Sequence, residues 1–235
     1  MALSNSRLVA LVAGVLFAVC LVAFAATEAL TKEQTSMRTL SGRVERVIVH
    51  ADVGDVRLEG STGARVSVRT ERKWLWRKPQ VSAVQRGDVL ELRGECPTTT
   101  VLDRCSADFV VEVPFDVDVQ VDGDAGDIEV NDLAGNIRLR TDAGDVSGAG
   151  LQPASVRATT ASGDIDLAFD TSPVFVDAFS DAGDVSLAVP GGEYRVDTAT
   201  DAGDVMLEGV LRNDRALRRI VAETEAGDVN IRGRG

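Results

Sequence analysis

Carboxylates are the commonest reactive groups in this chain, and they recur in a fixed setting. Glycine-centred acidic turns read "DAGDI" at 124–128, "DAGDV" at 142–146, 181–185 and 201–205, "SGDI" at 162–165 and "EAGDV" at 225–229. The residue after each glycine is always an aspartate: Asp127, Asp145, Asp164, Asp184, Asp204 and Asp228. Stacked strands bring equivalent residues to about 4.8 Å from one another, so these six form one column. Such a column suits a hard cation such as Ca2+, which takes six to eight oxygens. It also survives without one, because neighbouring solvated carboxylates repel by only about 0.9 kcal/mol before screening. Calcium β-rolls write Gly-Gly-x-Gly-x-Asp at nonapeptide spacing. Here one glycine precedes Asp directly and the spacing is twice as long. Solvated structural turns are the preferred reading, with Ca2+ the one cation to consider and no other cofactor implied.

The turn accounts for part of the motif. Asp at its first position (Asp124, Asp142, Asp181, Asp201) is expected to accept a backbone hydrogen bond from two residues on, and glycine supplies positive φ. The Asp after glycine is then the member without a structural duty.

Hydrolysis by paired carboxylates needs two acids in unequal environments across a cleft. Equivalent, solvated positions do not supply that. With a single histidine, His50, and a single tyrosine, Tyr194, a Ser-His or metal mechanism is also poorly supplied. His50 sits at an alternating position in "RVIVHADVGD" and reads as an exposed strand residue. No catalytic residue is assigned, and the chain is read as a non-enzyme.

A second kind of chemistry lies in "ERKWLWRKP", residues 71–79. It holds both tryptophans, Trp74 and Trp76, beside Arg72, Lys73, Arg77 and Lys78. On a strand the two rings share a face. Exposed Trp flanked by basic side chains suits a polysaccharide, a lipid headgroup layer or a protein partner. Trp74, Trp76, Lys73, Arg77 and Lys78 are therefore the candidate partner-binding residues. The alternative is packing over the end of the fold with basic stems lying across the rings.

What positions these groups is a repeat. The glycines at 126, 144, 163, 183, 203 and 227 are 18, 19, 20, 20 and 24 residues apart, a solenoid period. Two residues after each glycine stand Ile128, Val146, Ile165, Val185, Val205 and Val229. Four after stand Val130, Gly148, Leu167, Leu187, Leu207 and Ile231. This alternation predicts one strand after the turn. Ile137, Val156, Val176, Val196 and Ile220 mark a second strand seven residues before the next glycine. The fold predicted is all-β, a single-stranded β-solenoid with two short strands per coil of about 20 residues. Aromatics are only 4% of residues, consistent with a thin aliphatic interior. "RNDRALRR", 212–219, falls in the longest repeat and is expected as a short helix or loop over that end.

Residues 41–115 carry looser copies: "GDVRLEGSTGARVSVRTE" at 54–71, "RGDVLELRG" at 86–94 and "ADFVVEVPFDVDVQVD" at 107–122. They predict a β segment of the same body, with an excursion at 72–106 that caps the first coil, leading into a regular solenoid at 116–235. Cys96 and Cys105 are expected to form a disulfide closing a loop within that excursion, because two thiols without nearby His fall short of a metal site.

Arg7 precedes nineteen uncharged residues, 8–26, which as a helix span about 28 Å, close to a hydrocarbon core. The reading is a cytoplasmic tail at 1–7, a transmembrane anchor at 8–26 and a juxtamembrane spacer at 27–40. The body then lies outside a bacterial cell membrane. A cleaved signal ending near "AFA", 23–25, is the rival and yields a secreted body. Net charge is -12, which argues against nucleic acid.

The apolar N-terminal segment, "GDVRLEG", "KWLWRKPQV", "RGDVLELRGECP", "FVVEVPFDVDVQV" and the serial "GDV/GDI" turns together resemble the bacterial putative-adhesin family. That resemblance spans residues 41–235 and implies an exported, right-handed β-helix-like solenoid. It implies no reaction and transfers no catalytic residue. The expected role is a cell-envelope structural or interaction module, its partner an envelope protein or polysaccharide. A sensory or regulatory partner of a membrane complex is the alternative, and a carbohydrate-active β-helix enzyme a distant third.

Overall fold

The computed structural model describes residues 31–97 and 104–234, and every regular element in them is a β-strand. The expected anchor at 8–26 and tail at 1–7 lie outside the described residues. Among the described residues no helix is long and apolar enough to cross a membrane.

The first strands are β1 (Lys32–Leu40), β2 (Arg46–Val53), β3 (Val56–Ser61), β4 (Val66–Trp74), β5 (Gln80–Arg86), β6 (Val89–Glu95) and β7 (Cys105–Pro114). The repeats follow as strand pairs. These are β8 (Asp118–Ala125) with β9 (Ile128–Asn131), β10 (Ile137–Ala143) with β11 (Val146–Leu151), and β12 (Ser155–Ser162) with β13 (Ile165–Phe169). Then come β14 (Phe175–Ala182) with β15 (Val185–Pro190) and β16 (Glu193–Ala202) with β17 (Val205–Glu208). The two-residue β18 (Leu211–Arg212) precedes the last pair, β19 (Arg219–Ala226) with β20 (Val229–Arg234).

They build two facing ten-stranded sheets, ordered β1-β4-β7-β3-β9-β11-β13-β15-β20-β17 and β18-β16-β19-β14-β12-β10-β8-β2-β6-β5. Each coil gives one strand to each sheet, and the coils pair in parallel with glycine-centred turns in register, as Ala143↔Ser162 and Val146↔Ile165 show. Between the sheets runs the predicted aliphatic ladder: Val119, Ile137, Val156, Val176, Ile220 and Val196 on one side, Ile128, Val146, Ile165, Val185 and Val229 on the other, all buried. Each such side chain contributes about 1.5–3 kcal/mol by leaving water.

The coils do not follow sequence order. β19 and β20 insert between β14/β15 and β16/β17, so the last coil in the chain is next to last in the stack. One interior position sets the outermost coil apart. Where the inner coils place Ala158, Ala178 and Ala222 in register, the outermost coil has Thr198. A hydroxyl is better tolerated where water can reach it. The "RNDRALRR" stretch starts in β18 and turns back at 213–216; it is a loop, not a helix.

The N-terminal half shows the same reordering. β2/β3 adjoins β8/β9, and β6/β7 lies outside β2/β3. Antiparallel β4 and β1 extend one sheet, antiparallel β5 the other. The excursion is thus a continuation of both sheets. Residues 32–40, expected as spacer, form a strand paired along its whole length with β4. The Cys96–Cys105 disulfide is present, with Cα atoms 5.8 Å apart.

Candidate functional site

The Asp column exists, and it is longer than the six turns predicted. In stack order it runs Asp108, Asp55, Asp127, Asp145, Asp164, Asp184, Asp228, Asp204. Each Oδ1 accepts the backbone N–H of the next Asp, at 3.2, 3.1, 2.9, 2.8, 2.8, 2.8 and 2.8 Å. This corrects the expectation that the Asp after glycine has no structural duty. The turn glycines explain why. At φ between +138° and +155° they reverse the following peptide, whose N–H then points back along the stack. The neighbouring coil's carboxylate is the group placed to receive it, and charge strengthens the bond.

The first acid of the motif is corrected in the opposite sense. The glycine N–H expected to bond it donates instead to the next coil, as Gly144 N–H does to Ser162 C=O at 2.9 Å. Asp142 instead pairs with Arg140 at 3.2 Å on the surface. Among the described residues no three His, Cys, Asp or Glu side chains converge to hold a metal ion.

A column that sequence reasoning missed lies inside. The reversed glycine carbonyls face the interior, where hydroxyls meet them. Thr160 donates to Gly144 C=O at 3.0 Å, Ser180 to Gly163 at 2.9 Å, Thr224 to Gly183 at 2.8 Å, Thr200 to Gly227 at 2.9 Å and Thr141 to Gly126 at 3.3 Å. The signal was available: a Ser or Thr stands three residues before five of the six turn glycines.

The ladder makes a quantitative prediction. Asp145→Ala removes the acceptor of the Asp164 N–H, and water substitutes only partly at this exposed site. A loss of about 1 kcal/mol is expected. Asp145→Asn keeps Oδ1 and should lie within about 0.5 kcal/mol of the parent. Urea denaturation of the three proteins checks this; equal values for Ala and Asn would contradict the ladder.

Head and flank of the column meet the tryptophan segment. Lys73 Nζ lies 3.5 Å from Asp108, and Trp74 is in register with Lys32 on one side and Cys105 on the other. Burial raises the Asp108 carboxyl above the usual range, offset by its bond from the Asp55 N–H and by Lys73. β4 ends at Trp74 and the chain bends at 75–77, so Trp76 lies outside the strand on which a shared face was expected. Trp74 is half-buried, with Lys78 Nζ 5.3 Å from its ring centre. Trp76 is 74% exposed, and Arg77 and Lys78 are exposed beside it. The two rings thus differ in burial, Trp74 partly covered and Trp76 largely exposed.

His50 lies 3.7 Å from Asp122 across β2 and β8, a partner the sequence did not reveal. Tyr194 is fully buried and donates to Pro190 C=O at 2.8 Å.

Comparison with known proteins adds four findings. A family model described as Toastrack DUF4097 matches residues 116–232. The structure of a putative cell adhesion protein from Clostridium sporogenes superposes with a TM-score of 0.54 at 12% identity, covering 86% of this chain and 100% of that one. A putative adhesin from Bacteroides fragilis gives 0.49 at 12% identity, over 86% and 97%. No curated protein matches.

Proposed function

This chain carries a Toastrack DUF4097 domain, and from that premise we propose that it is a non-catalytic, adhesin-like interaction module of the bacterial cell envelope. The observation that carries the reading is the placement of Trp76. It projects, with Arg77 and Lys78, from the end of the rod where β1 begins at Lys32, six residues after the apolar stretch 8–26. With residues 8–26 as anchor, that end faces the membrane, and Trp with basic neighbours suits the boundary between headgroups and water. The two ten-stranded sheets then hold the far end away from it. Ten strands at about 4.8 Å make a rod of roughly 45 Å.

Catalysis has little support. Seven of the column's eight acids each accept a backbone N–H from the next coil. The name of the Clostridium neighbour, a putative cell adhesion protein, agrees with a contact role. A regulatory partner of a membrane complex would use the same Trp76 face and is the second reading.

Trp76→Ala is the test. It should leave the melting temperature within about 2 °C, since an exposed ring contributes little to folding. It should remove most partners captured by proximity labelling from intact envelopes. Trp74→Ala, by contrast, should lower stability by about 1–3 kcal/mol through lost packing. Unchanged capture by Trp76→Ala would refute the contact role.

A further inference from the structure

The end of the stack farthest from Lys32 is built like an inner coil but has no coil beyond it among the described residues. Val205 and Leu207 stand in register with the buried Val229 and Ile231, yet are 44% and 37% exposed. In the coil beneath, Gly227 N–H donates to Ala202 C=O at 3.0 Å and Val229 N–H to Asp204 C=O at 2.9 Å. No described coil lies beyond β17 to receive the corresponding donors of the end coil, on Gly203 and Val205, or to donate to the carboxylate of Asp204. In the other sheet β18 covers the outer edge of β16 only at Glu193 and Tyr194. The sandwich therefore ends in two open strand edges over an apolar interior, a template for further pairing.

We propose that this end docks a second copy of the same chain, tail to tail. A two-fold axis perpendicular to the sheets sets β17 against β17 and β16 against β16, both antiparallel. It joins the Val205 and Leu207 pairs into a common interior. Such an interface is isologous and closes at two copies.

Charge selects this arrangement. One flank of the end face carries exposed Asp201 and Asp204 at the turn. The opposite flank carries the 211–218 loop, with exposed Arg212 and Arg215 beside Glu208 and Asp214. The two-fold rotation exchanges the flanks, so each aspartate pair meets the partner's arginines. A head-to-tail contact has no such match. The opposite end closes with β1 and β5, both antiparallel to their neighbours.

The end face is small. A separation of about 10 Å between sheets and a strand length of about 30 Å, with the flanking side chains, give roughly 500 Å² per copy. Stable complexes bury about 800 Å² per partner. The expected dimer is exchangeable, with dissociation in the micromolar range. Exposed apolar Met206, Leu211 and Leu217 lie around the same face and add to its apolar rim.

Sedimentation velocity of the full chain in detergent micelles, from about 1 µM to about 1 mM, should show a monomer–dimer equilibrium. Arg212→Glu with Arg215→Glu makes both flanks acidic; Asp201→Lys with Asp204→Lys makes the turn flank basic. Each double variant alone should dimerise at least about tenfold more weakly, and an equimolar mixture should regain the parent affinity, because both flanks then attract. Circular dichroism melts establish that both variants fold. As a check that leaves the charges intact, Met206→Cys in a Cys20→Ser background should give a covalent dimer on oxidation, since Met206 lies at the centre of β17. Monomer throughout the range without crosslinking overturns the proposal, and so does a dimer that neither double variant weakens. The result is independent of Trp76 and of where the N-terminus resides, so failure here leaves the envelope reading untouched.

Discussion

Gly163→Ala should cost this protein about 4 kcal/mol, or roughly 10 °C in melting temperature for a body of this size. Two effects combine. Gly163 sits at φ +147°, a region that side chains with a Cβ essentially do not enter, which costs about 1–3 kcal/mol. A Cβ there would also be driven into the carbonyl of Gly144 in the preceding coil and towards Asp145 Oδ1. Both obstacles are held by the stack: the carbonyl is fixed by Thr160 and the carboxylate by the Asp164 N–H. Neither can yield without opening the ladder. Gly87→Ala is the internal control. Gly87 also has positive φ, +65°, but nothing lies within 4 Å of its added Cβ. It should lose only about 1 kcal/mol, the ordinary penalty for a left-handed residue. Denaturant unfolding of the two variants separates backbone conformation from close approach. Equal losses at 163 and 87 would show that the stacked carbonyl does not constrain the glycine.

The same comparison shows what the sequence made legible and what it hid. Period and alternation placed the strands well, because side-chain direction in a strand follows from position alone. Val146, Ile165 and Val185 had to point inward once the turns were fixed. Stack order was hidden, because period and alternation are the same in every coil and do not say which coils adjoin. Thr198, in register with Ala158, Ala178 and Ala222, is the one position in that column that differs in the outermost coil. The two Asp positions of "DAGDV" were assigned the wrong way round for a related reason. Turn chemistry read locally gives the bond to the acid before glycine. In a stack, the next coil supplies a better acceptor for the glycine N–H, and the reversed peptide hands its own N–H to the second acid. Local reasoning cannot see a partner that lies 18–72 residues away, as the acceptors of these bonds do. Trp76 was legible as a candidate. That Trp74 and Trp76 part company was not, because the strand ends between them.

Thr160→Val tests the interior column, and the sign of its effect is the informative part. Valine has nearly the shape of threonine, favours strands, and replaces a hydroxyl by a methyl in a fully buried site. On hydrophobic grounds alone it should stabilise, by about 0.8 kcal/mol for the added apolar group. The structure requires the reverse. The Thr160 hydroxyl is the donor that reaches the Gly144 carbonyl, at 3.0 Å, and without it that carbonyl faces an aliphatic interior. Leaving it unpaired costs about 1–3 kcal/mol, so a net loss near 2 kcal/mol is expected. Thr160→Ser keeps the donor, as Ser180 does naturally in the next coil, and should lose less than about 1 kcal/mol. Position along the stack adds a second dimension. Thr200 makes the same bond to Gly227 in the outermost coil but is only partly buried, so water can replace it. Thr200→Val should therefore cost less than Thr160→Val. A stabilised Thr160→Val protein would mean that the reversed carbonyls are satisfied without their hydroxyls, and that the Ser or Thr three residues before five of the six turn glycines serves something other than the turn.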